Sequence, residues 1–162
     1  MNAEGNENWP AVVPMPTYED VGAASAWLCE AFGFEERGRF SDKDGTVTTT
    51  ILHVPGGGVI MLGRTGPDYQ SPRAHRETCE AARRWQQVPY VVDGVLVAVD
   101  DVDRHLERAR AAGAVVLTEP EDTPHGRNYR VEDLEGHRWM FMNSPPSHDV
   151  GRRRQHAEAR EE

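Results

Sequence analysis

The stretch that decides the fold is VLVAVDDVDRHLERARAAGAVVLTEPEDTPHGRNYRVEDLEGHRWMFM, residues 95–142. It begins with an apolar run that ends at Asp100-Asp101, and an aspartate is well suited to cap the start of a helix. Apolar residues then recur at helical spacing up to Gly113, and glycine is favoured just past the last turn of a helix. Strand-like segments follow at residues 114–118, 128–132 and 137–142. The predicted order is a strand, a helix and three strands.

The same order of signals occurs upstream. An apolar run at residues 12–15 precedes Asp20, a helical pattern runs to Gly33, and strand-like segments follow at residues 34–40, 46–54 and 59–62. The capping aspartate and the helix-ending glycine are separated by 13 positions in this stretch and by 12 in the other. A repeated βαβββ unit explains both stretches. Two unrelated α+β pieces are the alternative explanation.

The repeat sets the predicted domain organisation of an α+β protein. We predict a flexible N-terminus, a first βαβββ module, a linker, a second βαβββ module and a charged flexible tail. These occupy residues 1–10, 11–63, 64–93, 94–143 and 144–162. Within the linker, residues 75–85 are rich in Ala, Glu and Arg, which favours a helix.

Composition restricts the partners of the chain. Its 162 residues carry a net charge of -9, and such a field repels phosphate backbones and anionic lipid heads. We therefore expect neither nucleic acid nor a membrane as a partner. The basic residues 152–154 lie beside glutamates, as in a solvated end. Cys29 and Cys79 form no CxxC pair, and no export signal is recognisable, so we expect a cytoplasmic protein.

Three local strings sharpen the prediction: AWLCEAFGF at residues 26–34, VAVDDVD at 97–103 and YRVEDLEGHRW at 129–139. In this order they resemble a helix end, a strand-to-helix junction and a final hairpin of the vicinal oxygen chelate superfamily, which includes glyoxalases, bleomycin-resistance proteins and extradiol dioxygenases. The resemblance covers residues 11–143. It implies two βαβββ modules that form curved mixed sheets around a cavity, and a homodimer. The sequence departs from the family at Leu134, where proline is usual, and in a shorter loop at residues 124–127.

The resemblance also implies where a divalent metal would bind. The family places one ligand on the first strand and one on the last strand of each module, and these positions are Val13, Met61, Gly94 and Met140 in this chain. Valine and glycine side chains have no donor atom, and a thioether is a poor ligand for hard or borderline ions. We therefore predict no metal and no cofactor.

The candidate binding residues form a pliable apolar wall with a cation near it. Period-two alternation on the last strand places Arg138, Met140 and Met142 on one face and Trp139 and Phe141 on the other. The ligand-binding residues predicted are Met15, His53, Met61, Trp85, Tyr129, Arg138, Met140 and Met142. Such a wall suits an apolar or aromatic ligand with an anionic or hydrogen-bonding edge. Methionines that merely fill the core are the alternative.

Three functions follow from the resemblance. The leading one is a small-molecule-binding protein that sequesters an antibiotic or a metabolite without metal and without catalytic residues. The second is a lyase, isomerase or dioxygenase, with His53 or a carboxylate as general base or with metal ligands at other positions. The third is a structural or regulatory module whose cavity is filled.

Overall fold

The helices and strands lie in the two modules and in the linker between them. The structure is a computed structural model and describes residues 9–89 and 94–143. The first module contains α1 (Val21–Phe32), β1 (Glu35–Ser41), β2 (Val47–His53) and β3 (Val59–Gly63). The linker contains α2 (Pro72–Thr78) and α3 (Glu80–Trp85), and the second module contains β4 (Gly94–Val99), α4 (Val102–Ala111), β5 (Val115–Thr123), β6 (Gly126–Glu132) and β7 (Arg138–Asn143). Apart from Trp9 and Pro10, the predicted flexible ends lie outside the described residues.

The predicted capping aspartates begin both long helices. The Asp20 carboxylate accepts a hydrogen bond from the Ala23 N–H at 2.9 Å, and the Asp101 carboxylate accepts one from the Arg104 N–H at 3.0 Å. Gly33 ends α1 with φ 76°, in the left-handed region that favours glycine. Both helices therefore start as predicted and α1 stops as predicted, while α4 ends at Ala111, two residues before Gly113, whose φ of 87° turns the chain.

The strands form two sheets with equivalent topology. The first sheet has the order β1-β2-β3, and both of its pairs are antiparallel. The second sheet has the order β4-β7-β6-β5, in which β4 runs parallel to β7 and the other pairs are antiparallel. The α+β class is that predicted.

The predicted first strand at residues 12–15 is not a regular strand. Residues 14–18, here called the proline segment, nevertheless run parallel to β3, as β4 runs parallel to β7. The Met61 N–H donates to the Pro14 carbonyl at 3.0 Å and the Gly63 N–H to the Pro16 carbonyl at 3.2 Å. Pro16 has no N–H to return to β3, but the Tyr18 N–H donates to the Gly63 carbonyl at 2.9 Å, so the ladder is interrupted at the prolines and resumes after them.

The strand β5 is longer than predicted. The loop predicted after residue 118 is largely strand, because β5 continues to Thr123 and pairs Asp122 with Arg127. Its register shifts between Thr118 and Glu121, around Pro120, which cannot donate to the ladder.

The single helix predicted at residues 75–85 is two short helices. Cys79 interrupts it with an extended backbone, φ -123° and ψ 113°. The Thr78 hydroxyl donates to the His75 carbonyl at 3.2 Å, and the same carbonyl accepts the last helical bond of α2 from the Cys79 N–H at 2.9 Å.

One hydrophobic core serves both modules. Phe32 at the end of α1 lies 4.7 Å from Phe141 and 5.4 Å from Trp139 between ring centroids, so the first helix packs on the second sheet. At the edge of this core, the buried Asp133 carboxylate accepts bonds from the Tyr18 hydroxyl at 2.6 Å and the Trp139 indole N–H at 3.0 Å. The Tyr18 bond ties the modules together, because Tyr18 belongs to the first and Asp133 to the second.

The two long helices also cap each other's C-terminal ends. Arg108 of α4 donates to the carbonyls of Glu30 at 2.6 Å and Cys29 at 3.0 Å in α1. In return, the Trp27 indole N–H of α1 donates to the Ala112 carbonyl at 2.8 Å. Carbonyls that a helix end leaves without partners are satisfied in this way by the other module. Among the described residues, no helix has the length and apolarity needed to cross a membrane.

Candidate functional site

Each sheet has one face covered by a long helix, α1 or α4, and one face away from it. In the first sheet, Leu52, Ile60 and Leu62 lie under α1 and are buried. The opposite side, here called the first open face, carries residues that alternate with these: His53, Ile51, Met61 and Phe40. Ile51 and Met61 are register partners, and Phe40 is 56% exposed.

Met15 of the proline segment joins the first open face. It lies between Pro14 and Pro16, whose carbonyls accept from Met61 and Gly63, so it stands beside Met61. Its side chain is 65% exposed. An exposed cluster of large apolar side chains on one sheet face is typical of a ligand or protein interface.

The second open face lies on the side of the second sheet away from α4. Leu96 and Arg130 flank Met140 in register on the two neighbouring strands, and Leu96 is 54% exposed. Trp139 and Phe141 point to the other side and are buried in the core, as the alternation predicted. Met61 and Met140 therefore hold equivalent positions, each on the last strand of its module and on the open face.

The structure places the eight predicted binding residues in four settings. Met15, His53 and Met61 lie on the first open face, and Met140 lies half-buried on the second. Arg138 and Met142 are on the same side of β7 as Met140, but both are buried, so Met142 is not an accessible ligand contact in one chain. Tyr129 is fully buried on the helix-covered side, and Trp85 is 65% exposed at the end of α3. Within one chain the two open faces belong to different sheets, so the structure does not bring the six residues together.

Arg138 is already engaged. Its guanidinium donates to Glu132 at 3.2 Å and to the carbonyls of Gln86 and Val88 in the linker. Arg76 of α2 donates to the same carboxylate at 2.8 Å. Both Arg138 and Glu132 are buried, so this ion cluster fastens the linker over one end of the second open face.

Arg130 is a cation that the sequence reasoning missed. It lies in register with Met140, and its backbone N–H donates to the Thr118 hydroxyl at 2.9 Å. Alternation along β6 could have revealed it, because Arg130 and Glu132 share a face. Alternation on the last strand alone indicates Arg138 instead.

A groove lies between the modules and shares Leu96 with the second open face. It has a volume of about 640 Å³ and contains none of the eight predicted residues. Its walls are β4, the turn between β2 and β3, and the first turns of α4, together with Val12 and Pro14. This volume falls in the range of small-molecule sites.

His105 lines the groove as a fixed, neutral side chain. A backbone carbonyl can only accept, so the His105 Nε2–H donates to Phe32 O at 3.2 Å, and Nδ1 accepts from the Tyr129 hydroxyl at 2.7 Å. Burial lowers the pKa of His105, which favours this neutral form. Burial also raises the pKa of Tyr129, so its hydroxyl keeps its proton. The His105 and Tyr129 side chains are therefore held by structural hydrogen bonds.

The residues present do not fit the metal site of the resembled family. The four corresponding positions hold Val13, Met61, Gly94 and Met140, and none of these side chains carries an oxygen or nitrogen donor. Across residues 9–89 and 94–143, no group of three or more His, Cys, Asp or Glu side chains could hold a metal ion.

Comparison with known proteins agrees with this architecture. The sequence profile of the Glyoxalase/Bleomycin resistance protein/Dioxygenase superfamily matches residues 16–141. The uncharacterized protein Mb0911c of Mycobacterium bovis is 30% identical over 133 residues, which is 82% of each chain.

Two solved structures have the same fold. TioX from Micromonospora sp. ML1 is 34% identical with a TM-score of 0.59, over 81% of this chain and 95% of that one. TnmS3, an antibiotic binding protein from Streptomyces sp. CB03234, is 20% identical with a TM-score of 0.55, over 85% and 98% of the two chains. The profile match, the mycobacterial relative and the repeated βαβββ fold together show that the chain belongs to the glyoxalase/bleomycin resistance protein/dioxygenase superfamily.

Proposed function

We propose that this protein binds a small apolar or aromatic molecule and sequesters it without a chemical reaction. The observation that carries the proposal is the apolar surface around two equivalent methionines: Met61 lies beside the exposed Met15 and Phe40 on the first open face, and the half-buried Met140 lies beside the exposed Leu96 on the second. Methionine side chains adapt to ligands of different shape. TnmS3 supports the proposal as a protein of this fold that binds an antibiotic.

The site is completed by a second copy of the chain. In one chain Met61 and Met140 lie on different sheets, and neither lines the groove between the modules. A homodimer in which the first open face of one copy covers the second open face of its partner would enclose a crevice. Pairing would also remove the exposed side chains of Met15, Phe40 and Leu96 from water, which favours association.

Binding should be measured by a thermal-shift screen of aromatic compounds, followed by titration of the hits. Specific binding raises the melting temperature by mass action. Met61→Glu and Met140→Glu should each weaken binding, because an ionised carboxylate in an apolar crevice costs several kcal/mol. Sedimentation of the wild type at micromolar concentration should show a dimer, and a monomer alone would contradict the shared crevice.

The groove between the modules is a second location for the ligand, favoured by its volume of about 640 Å³. Val12→Glu is the matched control, since Val12 lines the groove and is highly exposed, so the substitution should not disturb the fold. If Val12→Glu abolished binding and both methionine variants bound normally, the ligand would lie in the groove.

We further propose that the protein works without a metal, because the four family ligand positions lack suitable donors. Elemental analysis of the purified protein should find no stoichiometric divalent ion. About one Zn, Ni, Mn or Fe per chain, lost to a chelator together with an activity, would favour the enzymatic alternative.

A further inference from the structure

The cation at the centre of the second open face has no partner in the described chain. The Arg130 guanidinium makes no hydrogen bond or ion pair with any residue in 9–89 or 94–143, and the side chain is half-buried between β5 and β7. Its register partners are Thr118 and Met140, which offer no negative charge. Partial burial removes some of the water that solvates the guanidinium, and a bound anion would offset that cost.

The surroundings of Arg130 carry a local surplus of positive charge. Arg76 and Arg138 share the single buried carboxylate of Glu132, and Arg130 adds a third cation. On β5, Glu121 shares this face opposite Asn128, but it is exposed and is not paired with Arg130. In a chain of net charge -9, this concentration of arginines beside apolar side chains is a local exception. It favours an anion over a neutral ligand.

A second copy of the chain does not supply that anion. The strands of the first open face carry one carboxylate on that side, Glu35, and it already pairs with Arg37. The remaining side chains that a partner would present there are largely apolar, with Phe40, Ile51 and Met61 among them. The charge on Arg130 is therefore left for the ligand.

We infer that the ligand of this site is an aromatic acid, whose flat apolar body lies on Met140 and Leu96 and whose carboxylate pairs with Arg130. A guanidinium binds a carboxylate through two parallel N–H···O bonds, which fixes the orientation of the ligand as well as adding affinity. The attraction is strong where the site excludes water. This inference rests on the proposed binding function and adds the chemical class of the ligand.

The test compares two probes of nearly equal shape, 2-naphthoate and 2-naphthamide, by calorimetric titration. Wild-type protein should bind the carboxylate about tenfold more tightly than the amide, as expected for one charge-assisted bidentate pair. Arg130→Gln should remove that preference and leave affinity for the amide nearly unchanged. Added salt should weaken the binding of naphthoate to the wild type more than that of naphthamide.

Arg104→Gln is the control variant. Arg104 is exposed, lines the groove and, within the described part of the chain, has no side-chain partner. It should retain the preference for naphthoate; loss of the preference in Arg104→Gln and its retention in Arg130→Gln would overturn the inference. Equal affinity of the wild type for both probes would overturn it too, but would leave the proposed function standing.

Two further results would be decisive. Failure of the wild type to bind either probe would contradict the inference, and the proposed function would fail with it only if the thermal-shift screen of aromatic compounds also found no ligand. If Arg130→Gln sedimented as a monomer while the wild type was a dimer, Arg130 would be a subunit contact, and the assignment to a ligand would fail.

Discussion

The two sheets use the same positions in different ways. Both carry a methionine at the centre of the open face, Met61 in the first sheet and Met140 in the second. The first open face is bordered by the proline segment, and its apolar side chains are widely exposed. The second is bordered by a full strand, β4, and one of its ends lies under the linker held by Arg138.

This difference shows that the two modules share a fold but present surfaces of different chemistry. The first open face supplies apolar surface with little unpaired charge. The second supplies a similar surface together with a buried ion cluster and Arg130. A crevice made from one face of each kind would be apolar on one wall and cationic on the other, which a pair of identical faces could not provide.

The largest expected effect separates the covered face of the second sheet from its open face. Trp139→Ala should lower the free energy of unfolding by about 3 to 5 kcal/mol, because it leaves a large cavity beside Phe32. Met140→Glu, one residue further along the same strand, should cost much less, since its side chain is only half-buried. Urea unfolding of both variants measures the contrast. Equal destabilisation would mean that Met140 belongs to the core.

The next largest predicted loss of stability comes from breaking the ion cluster of Arg76, Glu132 and Arg138. Arg138→Gln should lower the free energy of unfolding by about 3 kcal/mol, because the buried Glu132 loses one of its two cations and two linker carbonyls lose their donor. Arg37→Gln, on the exposed pair of the first sheet, should change it by less than about 1 kcal/mol. Chemical denaturation compares the variants, and a neutral Arg138→Gln would show that the cluster does not hold the linker.

Much of this arrangement could be predicted from the sequence. The capping residues Asp20 and Asp101 located both helices, and alternation on the last strand separated Met140 from Trp139. Glu132 and Arg138 face each other across the predicted final hairpin, so their pairing could have been predicted from register. The contacts with Arg76 and with the linker carbonyls could not, because these groups come close only after folding. The exposure of Trp85 could not be predicted either, because no local sequence pattern indicates that its side chain stays on the surface.

Acidification should weaken the contact between the modules. Burial holds the pKa of His105 below its ordinary value, so the folded protein resists protonation of that ring more than the unfolded chain does. This contribution is complete above the unfolded pKa of about 6.5 and is lost as the pH falls from there through the folded pKa. His105→Gln should therefore lose less stability on acidification than the wild type. Parallel losses in urea titrations above and below that pH would contradict this assignment.

The smallest effect concerns the edge of the first sheet. In the parallel register of the proline segment, an N–H at position 16 would point to the Met61 carbonyl. Pro16→Ala should therefore add one hydrogen bond but also gain freedom in the unfolded chain, so stability should change by no more than about 1 kcal/mol. Hydrogen exchange should show a protected amide at residue 16, and rapid exchange there would mean that the segment is not a latent strand.

The mutual capping of α1 and α4 has a consequence for how the molecule unfolds. Each helix end is completed by a side chain of the other module, since Arg108 donates to Glu30 and Cys29 while Trp27 donates to Ala112. Unfolding of one module alone would leave the last helix carbonyls of the other module without these side-chain donors. The halves of this duplicated chain therefore form a single cooperative unit, and neither half is expected to persist once the other has melted.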